Sequence, residues 1–214
     1  MKYLGIVLVL LAGTVWGAPI PSRAVPLLPV LGSVLDKQWP SLTFRHIPAG
    51  QVEQESGWRV NAERKDPKNH NEYGFGLTQI TITDKFNNFL EAKRVTRMKD
   101  LPWEQRFDAK FQLTYLVMID KSNFGFSKNY FDDEESQVAG MLVAYNGGPG
   151  TLVHRKAAAI KQGIRPPRCW FNGLDSVFAG YESRAFLGTT LGKFRNHYPY
   201  QIMKVKSLKY KGRV

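Results

Sequence analysis

The chain has one cysteine, Cys169, so no intramolecular disulfide can form and stability has to come from a packed core. Its four histidines, His46, His70, His154 and His197, show no close ligand spacing, and Cys169 has no CxxC partner. Neither a metal nor another cofactor is therefore expected. No Lys-Ser/Thr follows a glycine run, which excludes a phosphate-cradling nucleotide loop. Recognition-helix, zinc-finger and RNA-binding signatures are missing and the basic residues are scattered, so no nucleic-acid partner is expected. There is no internal repeat, no low-complexity segment and no uninterrupted apolar stretch of about 20 residues. Acidic residues are scarce: 18 Asp and Glu against 30 Lys and Arg give a net charge of +12. Such a balance favours an anionic partner such as an acidic membrane surface or an acidic glycan polymer.

What is present suits one domain with small extensions: 214 residues, 43% hydrophobic and 13% aromatic. Residues 1–17 read as an export signal or signal-anchor, with Lys2 ahead of an apolar run from Tyr3 to Trp16. Val15 and Gly17 are small enough for the −3 and −1 positions of a cleavage site, leaving Ala18 first. As an uncleaved helix the run is a marginal anchor, since 14 residues at about 1.5 Å each span roughly 21 Å of a hydrocarbon core of about 30 Å. Pro19, Pro21, Pro26 and Pro29 make residues 18–34 an expected extended tether, with the folded domain occupying 35–214.

Within that domain the pattern is mainly α, an α+β helical domain with a small extended or hairpin segment at a cleft. Helices are expected at about 84–95 with Asp84 as N-cap, from Trp103 to Met118 after Pro102, from Asp132-Asp133 to Gly147-Gly148, and at 151–162. Tyr73-Gly74-Phe75-Gly76-Leu77-Thr78-Gln79-Ile80-Thr81 pairs permissive glycines with alternating apolar residues and reads as the hairpin segment.

Glu55 is the residue with the sharpest chemical signal. Helical spacing back from it meets Val52, Pro48 and Phe44, so it lies on the apolar face of a helix through 48–56. Burial there disfavours the charged carboxylate and raises its pKa, which a general acid at neutral pH needs. A structural carboxylate in the last helical turn accounts for the same pattern. Glu53 is expected on the opposite, solvated face.

Three segments in order, Glu55-Ser56, then Gly76-Leu77-Thr78-Gln79-Ile80, then Ala144-Tyr145-Asn146-Gly147-Gly148-Pro149-Gly150, resemble the motifs of the soluble lytic transglycosylases, which share a lysozyme-like fold with goose-type lysozyme. The resemblance covers roughly residues 48–210 and is closest to phage-encoded members, where Phe86-Asn87-Asn88-Phe89 and Trp103-Glu104-Gln105-Arg106-Phe107-Asp108 are also expected. It implies Glu55 as catalytic acid/base, with Ser56, Gln79, Tyr145 and Asn146 lining the substrate cleft. A further family tyrosine corresponds to Tyr198, because Ile202, Met203 and Val205 follow it at aliphatic spacing. The family's glutamate four residues earlier is replaced by Phe194, and a second register, Glu182-Ser183-Arg184-Ala185-Phe186, supplies the glutamate but loses the tyrosine. The 24 positions from Glu55 to Gln79 exceed the spacing of compact members, and Thr81 stands where many have methionine.

The implied reaction is cleavage of the N-acetylmuramyl–N-acetylglucosamine bond of peptidoglycan with a 1,6-anhydro product. One glutamate suffices because the muramyl 6-hydroxyl attacks intramolecularly, whereas most glycosidases need two carboxylates. The resemblance thus implies an exported, monomeric, bacteriolytic lyase of the cell envelope acting on glycan strands, such as a phage endolysin, with transient inner-membrane association. Two alternatives stay open. A lysozyme-type muramidase would use Glu63, Asp66 or Glu72 to activate water, and a non-enzymatic cationic wall-binding module would rely on the basic tail Lys204, Lys206, Lys209, Lys211 and Arg213.

Overall fold

A computed structural model describes residues 18–67, 70–186 and 189–214. The proposed export signal at 1–17 lies outside the described residues. The fold is mainly α with a small β component, as the sequence pattern predicts. Helices α1 (Leu28–Gln38) and α2 (His46–Ser56) lead into a three-stranded antiparallel sheet of β1 (Glu63–Asp66), β2 (Glu72–Phe75) and β3 (Ile80–Ile82) in the order β1-β2-β3. Helices α3 (Asn88–Thr96), α4 (Ala109–Ser127), α5 (Glu134–Gly147) and α6 (Gly150–Lys161) follow. The short hairpin β4 (Ala185–Phe186) and β5 (Thr189–Thr190) then precedes α7 (Leu191–Tyr200).

Helix α5 is the axis of the molecule. Every residue from Val138 to Ala144 is buried, so it packs on all sides, with α4, α6 and α7 against it. Its first turn is built as the sequence predicts: Asp133 accepts the Ser136 amide at 2.7 Å, and Glu134 and Glu135 sit at the positive helix end. Helix α4 divides the interior in two. Leu113, Leu116 and Val117 face the main core, while Phe111 and Tyr115 join Phe75, Ile80, Phe89 and Ala92 in a smaller core beneath the sheet. In this smaller core Phe89 meets Phe111 edge-on at 5.8 Å and Trp103 at 5.2 Å.

Three expectations about elements need correction. The tether at 18–34 is in part helix α1, whose Leu28, Leu31, Val34 and Leu35 are buried against α4. Pro29 falls in its first turn, where a missing amide hydrogen costs nothing, so the prolines mark a helix start rather than an extended strut. Asp84 does not cap α3. The Thr83 hydroxyl accepts the amides of Lys85 and Phe86 and holds a turn there, and Asn87 is the cap, its side chain accepting from Phe89 and Leu90 at 3.0 and 3.2 Å. The helix expected from Trp103 is a 3-10 turn (Trp103–Gln105) followed by α4, because Asp108 accepts the Phe111 amide at 2.6 Å and restarts the helix there.

Beyond α7 the chain continues as a π-helical stretch Gln201–Lys206 and a 3-10 turn Ser207–Tyr210, and both pack on α2. Pro199 inside α7 removes one helical donor just ahead of this widened turn. The packing is close: a Cβ on Gly50 would sit 2.7 Å from the Ser207 Cβ, so only glycine admits the C-terminal segment onto α2.

Candidate active site

Glu55 lies in the last turn of α2, which ends at Gly57 in the left-handed conformation, φ 59°. Its carboxyl is closely enclosed by protein while part of the side chain stays accessible. Burial raises its pKa to about 7, against the lowering effects of a hydrogen bond from Tyr198 and the charges of Arg64 and Lys206. The Tyr198 hydroxyl, from α7, donates to Oε1 of Glu55. The register containing Tyr198 is thus the one that reaches the glutamate. Phe194 instead packs edge-on against Phe186 at 4.9 Å.

Tyr145, at the far end of α5, is the second phenol. Its hydroxyl donates to the Thr78 carbonyl at 2.6 Å and ties the helix end to the β2–β3 turn. Burial, followed by the charge of Glu55, pushes the pKa of both Tyr145 and Tyr198 well up, so each remains a hydrogen-bond donor. The turn itself is fixed by Gln112 of α4, whose Oε1 accepts the Thr78 amide at 3.2 Å and whose Nε2 donates to the Arg106 carbonyl at 2.7 Å. Gly76, φ 74°, passes so close to Gln112 that a Cβ would lie 1.8 Å from its Nε2. The glycine in this motif is therefore needed for both backbone angle and space.

Gln79 sits at the turn with φ 49° and donates from Nε2 to the Gly76 carbonyl at 3.1 Å. Asn146 is exposed in the last turn of α5, next to Tyr145. Ser56 does not line a cleft. It is 3% exposed and its hydroxyl donates back to the Val52 carbonyl at 3.2 Å, a bond internal to the helix. The sequence-predicted set thus yields Glu55, Tyr145 and Tyr198 within electrostatic reach of one another, Gln79 on the adjoining turn, and Ser56 turned inward.

Glu53 is not solvated as expected. Lys209 donates to Oε1 at 2.9 Å, and the Tyr210 hydroxyl donates to Oε2 while accepting from the Trp58 indole at 2.8 Å. The side of α2 opposite Glu55 is covered by the returning C-terminus, which places Lys209 in an ion pair rather than in a free basic tail. Glu182 is also spoken for. Its carboxylate is fully buried, receives Arg155 through Nε at 3.0 Å and Nη2 at 2.9 Å, and accepts the Ala179 amide at 3.0 Å.

The carboxylates considered as water activators are engaged as well. Glu63 accepts from the Tyr73 hydroxyl, the main cause of its lowered pKa, and lies near Arg106; Glu72 pairs with Arg64. The register Arg64↔Gly74 and Glu63↔Phe75 puts Glu63 and Arg64 on opposite faces of the sheet. Arg64 acts electrostatically on Glu55, so Glu63 is on the face turned the other way.

One carboxyl of this region escapes the sequence reading. Asp120, in the middle of α4, is fully buried and accepts from Gln51 Nε2 at 3.3 Å, one helical turn before Glu55. Burial raises its pKa well above the usual range, disfavouring the charged form. Among the described residues its second oxygen and Gln51 Oε1 have no hydrogen-bond partner. The signal was a lone acid in the apolar run Tyr115-Leu116-Val117-Met118-Ile119-Asp120. Among the described residues, no group of three His, Cys, Asp or Glu side chains is placed to hold a metal ion.

No protein-family model matches the chain, and no curated protein matches it.

Proposed function

We propose that the protein is a peptidoglycan lytic transglycosylase. The observation that carries the reading is Glu55: a carboxyl held by burial at a pKa of about 7 in a half-buried residue, with one phenol on its oxygen and a second phenol nearby. A group poised near neutrality gives and takes a proton with equal ease, as one residue acting first as acid and then as base requires. Glu55 protonates the glycosidic oxygen as the bond to muramyl C1 breaks. The resulting carboxylate takes the proton of the muramyl 6-hydroxyl while that oxygen bonds to C1, so the glutamate ends protonated and no water is consumed. Tyr198 stabilises the transient carboxylate by the hydrogen bond it already makes. Gln79 and Asn146 offer amides to the sugar hydroxyl and N-acetyl groups, as the motif resemblance implies.

Two of the three carboxylates weighed as water activators for a hydrolase are held by other groups. Glu63 and Glu72 are tied to Tyr73 and Arg64, and Glu182 to Arg155. Export through residues 1–17, a monomeric state and action on glycan strands belong to the same proposal. Among the described residues no helix is long and apolar enough to cross a membrane.

Mass spectrometry of muropeptides released from purified sacculi tests the reading. The expected products carry 1,6-anhydromuramyl ends. Predominantly reducing ends would assign the chain to the muramidases, and intact sacculi would leave only a wall-binding role.

A further inference from the structure

At the end of α5 remote from Tyr145 the surface holds a cavity of about 150 Å³. Helix α5 is 14 residues long, so the cavity lies roughly 20 Å from the cleft end. Tyr130, Leu174, Asn129, Lys156, Arg165 and Arg168 line it. Arg165 and Arg168 are separated by Pro166-Pro167, in a stretch with no helical or strand hydrogen bonding. Prolines fix φ near the polyproline value, at which residues three apart return to one side of the chain about 9 Å from each other. The half-buried diproline thus separates two arginines that line the same cavity.

The charges at this cavity are only partly answered. Asp132 accepts Arg168 Nε at 2.7 Å and forms an ion pair with it. Among the described residues the side chains of Arg165, Lys156 and Asn129 have no hydrogen bond or ion pair; Lys156 lies only over the Tyr130 ring, its Nζ 5.5 Å from the centroid. Lys156, Arg165 and Asn129, all solvent-exposed, thus line one cavity together, with Arg165 feeling the charge of Asp132 but not paired with it. Their donors match the several acceptor oxygens and up to two negative charges of a phosphoryl group.

We propose that this cavity is a second binding site, distant from the cleft, for a phosphoryl group carried by an envelope ligand. Such a site would hold the protein against an anionic envelope surface while leaving the cleft free.

Isothermal titration of the full chain with pyrophosphate at low ionic strength tests it. Saturable one-to-one binding is expected, weakened at least tenfold in K156Q/R165Q. The control K99Q/K110Q removes the same charge from exposed lysines elsewhere and should change binding less than twofold. Thermal unfolding of both double variants checks that each is folded. Equal weakening in the two would show diffuse electrostatic attraction and overturn the proposal, as would absence of saturable binding. Sedimentation with phosphatidic acid vesicles against phosphatidylcholine vesicles separates the sources. Capture by the former, lost in K156Q/R165Q, identifies a lipid phosphate, whereas pyrophosphate binding without vesicle capture identifies a soluble phosphorylated ligand. Binding is read without glycan, so failure here leaves the transglycosylase reading untouched, and the reverse holds too.

Discussion

Two glutamates of this protein are enclosed, and their surroundings differ in how the desolvated carboxyl is compensated. Glu182 receives a forked guanidinium from Arg155 and a backbone amide, and Arg155 is itself completed by Asn196 at 2.7 Å. Glu55 has a phenol on one oxygen and only distant help from Arg64 and Lys206. Desolvation is therefore compensated at the first site and largely uncompensated at the second. Burial is thus common to both sites, and what differs is the bound cation that pairs with Glu182 and is missing at Glu55 among the described residues.

The largest expected effects come from removing each acid. Glu55→Gln should lower the rate of glycan cleavage by about 10²–10⁴ while leaving the fold intact. It should also stabilise the protein at alkaline pH. The Glu55 pKa rises from 4.5 unfolded to about 7 folded, so its contribution to stability is fully present below about 4.5 and is lost as pH climbs through about 7. The Gln variant, free of this loss, should melt at a higher temperature than the parent at pH 8 and at about the same temperature at pH 4. Glu182→Gln should do the opposite, costing about 3–5 kcal/mol by leaving Arg155 buried and unpaired. Denaturant unfolding of both variants at two pH values measures the contrast, and a Glu55→Gln protein less stable than the parent at pH 8 would refute it.

Tyr198→Phe sharpens the comparison at the reactive site. The phenol favours the charged form of Glu55, so its loss should raise the glutamate pKa further and move the alkaline limb of the pH–rate profile upward. The rate at the optimum should fall roughly tenfold, the worth of one hydrogen bond to a charged group at about 1.5 kcal/mol. An alkaline limb that stays in place would separate Tyr198 from the titrating group.

Much of this site was legible in the sequence because its parts are local. Glu55 at helical spacing from apolar residues, the glycines of the 74–76 turn and the helix end at Tyr145 each carry their meaning within a few residues. What was not legible depends on distant chain coming back. Glu53 has the sequence context of a solvated residue, and only the return of Lys209 and Tyr210 across Gly50 gives it partners. The prolines of 18–34 suggested an extended strut because nothing local shows that α4 lies ready to bury Leu31 and Leu35. Tyr198 fell between the two cases: its motif was degraded by Phe194, and its contact with Glu55 joins residues 143 positions apart.

Asp120 is a third buried acid, intermediate between the other two. It has an amide partner and no cation, and one oxygen is left over. Asp120→Asn keeps an oxygen able to accept from Gln51 and should change stability by less than about 1 kcal/mol, whereas Asp120→Leu strands the Gln51 amide and should cost about 1–3 kcal/mol. Chemical denaturation of the pair gives the difference. Equal costs would show that the hydrogen bond to Gln51 contributes nothing.

The smallest effect is expected at Ser56, where resemblance and geometry disagree most directly. The motif makes it part of a substrate cleft, but the hydroxyl is buried and donates to the Val52 carbonyl four residues back. Such a bond shares an acceptor the helix already uses, so it adds little, and alanine recovers part of the loss through its higher helix propensity. Ser56→Ala should therefore cost no more than about 1 kcal/mol of stability. Both kcat and KM on soluble glycan fragments should stay within about twofold, since no contact to substrate is removed. A several-fold rise in KM with unchanged melting temperature would mean that the hydroxyl rotates outward when glycan binds, and would return Ser56 to the cleft.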